Sequence, residues 1–308
     1  MYAQTLGAAT AVVLGRGPTL LRPEVRSWLI ASASPLWRDL LGTLFDSLDL
    51  AERDDDAAKR PRPDRDVEAA LDRLRREYKD PEAAGAGRAD DATDSSDGFL
   101  ERFLEACNRG QRKRRGVFYT PRSIARFIIA AVDRQLRDEF GLRHGLAYTI
   151  GWGDFAARND LRMPAGIAPE THLIRVLDPA LGTGIFLEEA IDLIFARVQA
   201  DWRRAGKPGG EFQDRWNGYV VESLLPRLCA LEIRLPACVV AHLRLADKLA
   251  RTGFDFRQTA RIPIYLIDTL GGPRPRAAGA SSQSDPGYLA AVEEARQAAF
   301  ARPATVIV

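Results

Sequence analysis

Apolar residues along the carboxyl-terminal two-thirds of the chain fall into short runs that are separated by longer amphipathic stretches. The runs His172–Leu177, Leu228–Ile233 and Ile262–Ile267 predict three buried strands, and Ala304–Val308 begins a fourth. Strands that alternate with helices favour a parallel sheet covered by helices on both faces. We therefore expect an α/β fold.

Three helices are predicted, one before the first strand and two between the strands. Thr120 is expected to cap the first helix and Pro121 to take its first position. Helical spacing predicts that one face of this helix is buried, formed by Ile124, Phe127, Ile128, Ala131 and Val132. Two more helices are predicted over Phe186–Trp202 and Pro236–Arg251, and Gly253 is expected to end the last one.

The amino-terminal third has a different pattern. Trp28–Leu50 and Val67–Tyr78 carry apolar residues at helical spacing. The stretches Glu52–Asp66 and Asp80–Gly98 are charged or rich in small residues, with little to bury. We expect a helical region with disordered linkers over residues 1–98, followed by the α/β domain over 99–308.

Composition narrows the possible classes of protein only slightly. The chain has 308 residues, 46% of them hydrophobic, and a formal net charge of +2, so its overall charge does not indicate a polyanion ligand. Its three cysteines have neither disulfide nor metal spacing, so we expect no metal site and a reducing compartment. No apolar run reaches the length of a membrane span, and we expect a cytoplasmic protein without a membrane partner.

Acidic residues fall at or near the ends of three predicted strands, at Asp178, Glu232 and Asp268. In a parallel sheet, ligands bind beyond the carboxyl ends of the strands, and a glycine-rich turn over Asp178–Gly184 follows the first one. The turn lacks the G-x-G-x-x-G dinucleotide pattern. An acid after the second strand can accept hydrogen bonds from ribose hydroxyls, and one after the third can meet an adenine amino group. The pattern indicates a nucleoside cofactor.

Three motifs resemble those of the gamma-type N6-adenine DNA methyltransferases, including the large restriction and phage-defence methylases. The turn Asp-Pro-Ala-Leu-Gly-Thr-Gly is similar to their Asp-Pro-Ala-Cys-Gly-Ser/Thr-Gly motif. Gly116–Pro121 resembles their amino-terminal cofactor motif, and Arg227–Leu245 resembles a third family segment. The resemblance covers roughly residues 99–308. It implies a Rossmann-like methyltransferase sheet, S-adenosylmethionine as cofactor and double-stranded DNA as partner.

The resemblance also implies a role for each matching residue. Thr120 would hold the methionine carboxylate of the cofactor, together with Phe118, Tyr119 and Pro121 around it. Glu232 would bind the ribose hydroxyls, and Asp268 the adenine. The glycine-rich turn would pass beside the methionine portion through Asp178, Pro179, Ala180, Gly182, Thr183 and Gly184.

The sequence departs from the family in one large respect. Family members carry Asn/Asp-Pro-Pro-Tyr/Phe after the fourth strand, where it accepts hydrogen bonds from the flipped adenine and stacks on it. This chain has no such tetrapeptide, so no catalytic residue is assigned. We expect a truncated or split protein that is inactive alone, with the catalytic and target-recognition part missing or supplied by a separate chain.

Plainer interpretations stay open at each site residue. The glycines could serve only a tight turn, and Thr120 and Pro121 could serve only to start a helix. Glu232 could be a solvated acid at a strand end, and Asp268 could simply begin a turn. For the whole chain, two alternatives are a methyltransferase that acts on RNA or protein and a non-catalytic subunit that keeps the fold for partner binding. His242 is expected to be a core histidine.

Overall fold

Four short parallel strands form the centre of the fold in the computed structural model, which describes residues 23–32, 120–257, 260–267, 293–299 and 305–308. The strands are β1 (Val176–Asp178), β2 (Leu228–Glu232), β3 (Ile264–Leu266) and β4 (Val306–Ile307). Their order across the sheet is β3-β2-β1-β4, and each neighbouring pair is parallel. The predicted α/β class with a parallel sheet is confirmed.

Helices connect and flank the strands of this sheet. In the described residues they are α1 (Pro23–Ser32), α2 (Arg122–Asp138), α3 (Trp152–Arg158), α4 (Ile185–Arg204), α5 (Phe212–Tyr219), α6 (Leu235–Arg251) and α7 (residues 293–299). Single turns of other helix types occur at Gly145–Ala147, Gly209–Glu211, Val220–Leu224 and Leu225–Arg227. The helices predicted over Phe186–Trp202 and Pro236–Arg251 are confirmed to within two residues at each end.

The core is built around β2, which is buried at all five positions. On one face of the sheet, Cys229 and Leu231 pack with Ala299 of α7. Helix α6 packs against β2 and β3, and α4 packs against both α6 and α2. Helix α1 belongs to the same compact unit, because Trp28 lies edge-on to the rings of Phe254 and Phe256 at centroid distances of 5.9 and 5.0 Å.

The predicted buried face of α2 is wrong. Ile124 is 49% exposed and Phe127 is 73% exposed, whereas the buried residues are Ala125, Ile129, Asp133 and Leu136. The helix carries two apolar stripes, and the structure buries the one that contains a carboxylate. Asp133 is tolerated there because its Oδ1 accepts the backbone N–H of Leu146 at 2.9 Å and its Oδ2 accepts Arg197 Nη2 at 2.6 Å.

The predicted start of α2 is also wrong. Pro121 precedes the helix in an extended conformation, with φ −58° and ψ 142°, and Arg122 is the first helical residue. No side chain caps the helix, so Thr120 does not act as an N-cap. The carbonyl of Pro121 instead accepts the N–H groups of Ile124 and Ala125, at 3.0 and 3.1 Å, and so begins the helical pattern.

The first strand is shorter than predicted. His172 forms an isolated antiparallel bridge with Gly151, and Leu173 N–H donates to the carbonyl of Ile150 at 2.9 Å. These bonds bind residues 172–173 to the start of α3, and the parallel ladder with β2 begins only at Val176. Leu173 and Ile174 are nevertheless buried, which explains why their apolar pattern resembles that of a strand. In the part of the chain that the structure describes, no helix combines the length and apolar character that a membrane crossing requires.

Candidate functional site

The strand order places a reversal point at β1. The chain runs from β1 to β2 and then β3 on one side, and β4 lies on the other side of β1. Open α/β sheets bind ligands at the carboxyl ends of the strands where the order reverses in this way. Asp178 is the last residue of β1, and Glu232 is the last residue of the adjacent β2. The structure thus brings these two predicted site residues together at the expected end of the sheet.

Hydrogen bonds from backbone N–H groups fix the glycine-rich turn that joins β1 to α4. Ala180 N–H donates to Asp178 Oδ1 at 3.1 Å, and Leu181 N–H donates to the carbonyl of Leu231 at 2.9 Å. Gly182 N–H donates to Glu232 Oε2 at 2.7 Å. The turn is therefore held by both strand-end carboxylates, one from its own strand and one from the neighbour.

Two glycines of the turn adopt backbone conformations that other residues rarely take. Gly182 has φ +56° and Gly184 has φ +85°. A Cβ atom at Gly184 would lie 3.2 Å from the Cβ of Ala241 in α6, closer than ordinary packing allows. Gly184 thus serves both the turn and the close approach of α6 to the start of α4.

Glu232 organises the loops at this end of the sheet. Its Oε2 binds Gly182 N–H, and its Oε1 accepts the N–H of Arg234 at 2.7 Å, in the loop that leads to α6. The residue is only 7% exposed. Each carboxylate oxygen accepts one backbone donor and keeps a second lone pair. A solvated strand-end acid would not have this geometry.

Asp178 is a buried acid with a strongly raised pKa. It is 2% exposed, and among these residues its Oδ2 has no hydrogen-bond partner. Burial raises its pKa from 3.8 to about 7; the N–H of Ala180 opposes this shift, and the negative charge of Glu232 adds to it. Near neutral pH the Asp178 carboxyl therefore exists in both protonation states, and it can either accept or donate a hydrogen bond.

A cluster of charges, all but one of them at least half-buried, lies next to the turn and was not anticipated from the sequence. It consists of two acids in the first turns of α4 and four cations from α2 and α6, and we call it the α4 ion cluster: Glu188, Glu189, Arg122, Arg126, Arg244 and Lys248. Arg122 bridges both acids, with Nη1 2.5 Å from Glu189 Oε1 and Nη2 2.7 Å from Glu188 Oε2. The one available signal was the Glu188-Glu189 pair within an otherwise apolar helix start.

The α4 ion cluster also connects to the glycine-rich turn. Arg244 of α6 donates from Nη1 to the hydroxyl of Thr183 at 3.2 Å, and its Nε lies 3.7 Å from Glu188 Oε2. Lys248, one helical turn later, lies 3.3 Å from Glu188 Oε1. The turn, α6 and the beginning of α2 are therefore joined through the first turns of α4.

The remaining predicted site residues divide into two groups. Thr120 and Pro121 lead into Arg122, so the structure places the end of the amino-terminal motif near the helix that follows the glycine-rich turn. Phe118, Tyr119 and Asp268 lie outside the described residues. Ile267, which immediately precedes Asp268, donates its N–H to the carbonyl of Glu232 at 2.9 Å.

His242 does not belong to this site. It is 2% exposed in α6, and its Nδ1 lies 2.9 Å from the carbonyl oxygen of Cys238. Burial lowers its pKa to about 4, the hydrogen bond to Cys238 acts in the opposite direction, and the charge of Arg261 lowers it further. These features are those of a neutral core histidine, as the sequence analysis expected.

Comparisons with known proteins find similarity to several solved structures. No protein-family model and no curated protein matches the chain. The cryoEM structure of the DrdV–DNA complex is similar with 22% identity and a TM-score of 0.41, over 87% of this chain and 20% of that chain. A nuclease-deletion mutant of the Type ISP restriction-modification enzyme LlaGI, in complex with a DNA substrate mimic, has 15% identity and a TM-score of 0.40, over 99% of this chain and 23% of that one.

A third similar structure is the ATP-dependent Type ISP restriction-modification enzyme LlaBIII bound to DNA. It has 15% identity and a TM-score of 0.41, over 99% of this chain and 20% of that one. The chain spans about a fifth of the length of each of these three proteins. Two of the three are restriction-modification enzymes by name, and all three were determined with DNA or a DNA mimic.

Proposed function

We propose that this chain binds S-adenosylmethionine at the carboxyl ends of β1 and β2, as the cofactor-binding part of an N6-adenine DNA methyltransferase in a restriction-modification or phage-defence system. One observation carries the proposal. Glu232 of β2 holds the N–H of Gly182 within the glycine-rich turn after β1, beside the buried Asp178 and at the reversal point of the sheet.

The chemistry of these residues fits a cationic nucleoside. Asp178 Oδ2 is buried without a hydrogen-bond partner among the described residues, and a buried acceptor of this kind is expected to be matched by a donor. The methionine portion of the cofactor carries an ammonium group that can donate. The second lone pairs on the Glu232 oxygens can accept from ribose hydroxyls. Thr120 would hold the methionine carboxylate, and Asp268 the adenine, as the sequence resemblance implies.

The bound cofactor would supply a methyl group on a sulfonium centre for transfer to the amino nitrogen of a flipped adenine. The described residues would position the cofactor and exclude water from its methionine portion. The tetrapeptide with which family members hold the adenine is absent from the 308 residues. We therefore propose that a further protein part supplies the acceptor site and the DNA recognition.

A calorimetric titration of the full chain with S-adenosylmethionine and S-adenosylhomocysteine tests the proposal. We expect binding by the wild type, and a loss of affinity of at least about tenfold in Asp178→Asn and in Glu232→Gln, because each change removes a charged acceptor. Glu170→Gln is the matched control, since Glu170 is exposed and lies in the segment before β1, not in the turn that follows β1, and it should bind like the wild type.

Two results would contradict the proposed function. A folded wild type that releases no heat with either compound favours the alternative, a non-catalytic relative that keeps the fold for partner binding. Equal affinities of the wild type, Asp178→Asn and Glu232→Gln would place the cofactor elsewhere. Circular dichroism of every variant separates loss of binding from loss of fold.

A further inference from the structure

A cavity lies at the opposite end of the sheet from the proposed cofactor site. Its volume is about 480 Å³. Arg175, Leu228 and Pro263 line it, and they lie directly before or at the start of β1, β2 and β3. Residues of α7 close its other side, including Glu294 and Gln297. The cavity is therefore formed at the amino ends of three strands, between the sheet and α7.

Arg261 presents an unused hydrogen-bonding edge in this cavity. Its Nη1 pairs with Glu294 Oε1. Its Nε and Nη2 are buried and have no hydrogen-bond partner among the residues that the structure describes. These two nitrogens form one side of the guanidinium fork, the geometry that binds two oxygens of a carboxylate or phosphate at once. Arg261 thus uses its Nη1 in an ion pair, whereas its Nε and Nη2 edge, which suits an oxyanion, has no acceptor among the described residues.

A second guanidinium lines the same cavity. Arg175 is 6% exposed and donates from Nη2 to the carbonyl of Ala298 at 2.9 Å, which anchors it to α7. Tyr265 also lines the cavity, and the guanidinium carbon of Arg261 lies 5.2 Å from its ring centroid. Burial raises the pKa of Tyr265, and the charges of Arg261 and Arg175 oppose this shift. Glu294 is the one acid that lines the cavity in the described residues.

We propose that this cavity is an oxyanion site, in which the Nε and Nη2 edge of Arg261 binds a phosphate or carboxylate group of a small molecule. The buried Nε and Nη2 donors of Arg261 have no acceptor among the described residues, and an oxyanion would supply one. The volume is large enough for a ligand bigger than a single oxyanion. The site does not depend on the cofactor proposal, since it lies at the other end of the strands.

Thermal denaturation and calorimetry with inorganic phosphate, and separately with acetate, test the site at constant ionic strength set with potassium chloride. A ligand that binds the folded state raises its melting temperature. We expect one of the two anions to raise the melting temperature of the wild type. The anion that does so shows whether the site binds a phosphate or a carboxylate group. Neither anion changing the melting temperature of the wild type would overturn the proposal.

Four variants locate the binding site. Arg261→Gln should weaken anion binding by at least about tenfold, because it removes the fork and its charge. Arg261→Lys keeps the charge without the fork and should still weaken binding several-fold. Glu294→Gln should tighten binding several-fold, since it removes the one described acid from the lining. Arg257→Gln is the control, because Arg257 is exposed and pairs only locally with Asp255 among the described residues.

The expected weaker anion binding in Arg261→Gln and tighter binding in Glu294→Gln distinguish a binding site from a folding defect. A variant that merely loosened the fold would not bind the anion more tightly, as Glu294→Gln is expected to do. Equal affinities in wild type, Arg261→Lys and Glu294→Gln would overturn the proposal even if Arg261→Gln failed to fold. Displacement of phosphate from the wild type by a duplex oligonucleotide would overturn the assignment to a small molecule in favour of a DNA backbone, and no displacement would support it.

Discussion

Asp178 shows how a single residue can be costly for stability and useful for binding. Burying a carboxylate without a full set of donors disfavours its charged form, and here only the N–H of Ala180 donates to it among the described residues. The charge of Glu232 at the end of the next strand adds to the penalty. The fold tolerates such a residue where a ligand can supply the missing donor.

Asp178→Asn should therefore change how stability depends on pH. The folded pKa of about 7 lies above the unfolded value of 3.8, so the folded state holds the proton more tightly. The stabilisation that comes from the protonated Asp178 carboxyl is fully present below pH 4 and is lost as the pH rises through 7. Urea denaturation at pH 5 to 8 should show the wild type losing stability relative to Asp178→Asn, by about 3 kcal/mol at most. Parallel curves for the two proteins would show that Asp178 is not perturbed.

Gly184 is a second position at which one residue determines the site geometry. An alanine there must adopt φ +85° and place its Cβ 3.2 Å from Ala241 Cβ. We expect Gly184→Ala to lower the free energy of unfolding by about 3 kcal/mol, from backbone strain and crowding together. Gly166→Ala is the matched control, because φ is +77° but nothing lies within 4 Å of the added Cβ. It should cost about 1 kcal/mol. Equal losses in chemical denaturation would mean that the approach to α6 is not tight.

The α4 ion cluster acts at the level of helices. Its acids belong to α4 and its cations to α2 and α6, so these electrostatic contacts join three helices around the helix start that follows the glycine-rich turn. A buried ion pair adds little when complete, but removing one partner leaves an uncompensated charge. The cluster therefore sets the relative position of the helices more than it adds to net stability.

Arg122→Met tests this description of the cluster. It leaves Glu188 and Glu189 without their shared cation, and we expect the free energy of unfolding to fall by about 3 kcal/mol. Arg134→Met on the exposed side of the same helix should change it by less than about 0.5 kcal/mol. Adding Glu189→Gln to Arg122→Met should cost less than the sum of the single changes, as measured by urea denaturation in a double-mutant cycle. Additive losses would show that the two residues do not interact.

The helices also show where sequence patterns stop being informative. The limits of α4 and α6 could be predicted because their apolar residues form one stripe each. In α2 two stripes compete, and Ile124 and Phe127 look like better core residues than the face that carries Asp133. The outcome depends on Leu146 N–H and Arg197, which are distant in sequence and satisfy the Asp133 carboxylate. Periodicity within a helix carries no information about such partners.

At the scale of the whole molecule, the parallel α/β class could be predicted, but the strand order could not. Asp178 and Glu232 were located as strand-end acids because each follows an apolar run. Their contact through Gly182 depends on β1 and β2 being neighbours, and the reversal point depends on β4 pairing with the other edge of β1. The last contact is made by only two residues of β4, Val306 and Ile307, and no local pattern specifies which strand they join.

Helix α1 contributes to the core although it lies almost 90 residues before the next described segment. Its contribution to the stability of the whole molecule can be measured. Trp28 is 5% exposed and packs edge-on against Phe254 and Phe256, which follow α6. Trp28→Ala should lower the free energy of unfolding by about 3–5 kcal/mol through lost burial and a cavity. Trp202→Ala is the control: Trp202 is half-buried near Phe212, and its loss should stay under about 2 kcal/mol.

Chemical denaturation followed by circular dichroism measures both tryptophan variants in the full chain. A large loss for Trp28→Ala alone would show that residues 23–32 stabilise the end of α6, and through it the helix whose Ala241 faces Gly184. The proposed cofactor affinity should then fall in Trp28→Ala more than in Trp202→Ala, because loosening of α6 reaches the glycine-rich turn. If Trp28→Ala unfolds at the same urea concentration as the wild type, α1 is not part of this core, and the amino-terminal segment stabilises neither the sheet nor the site.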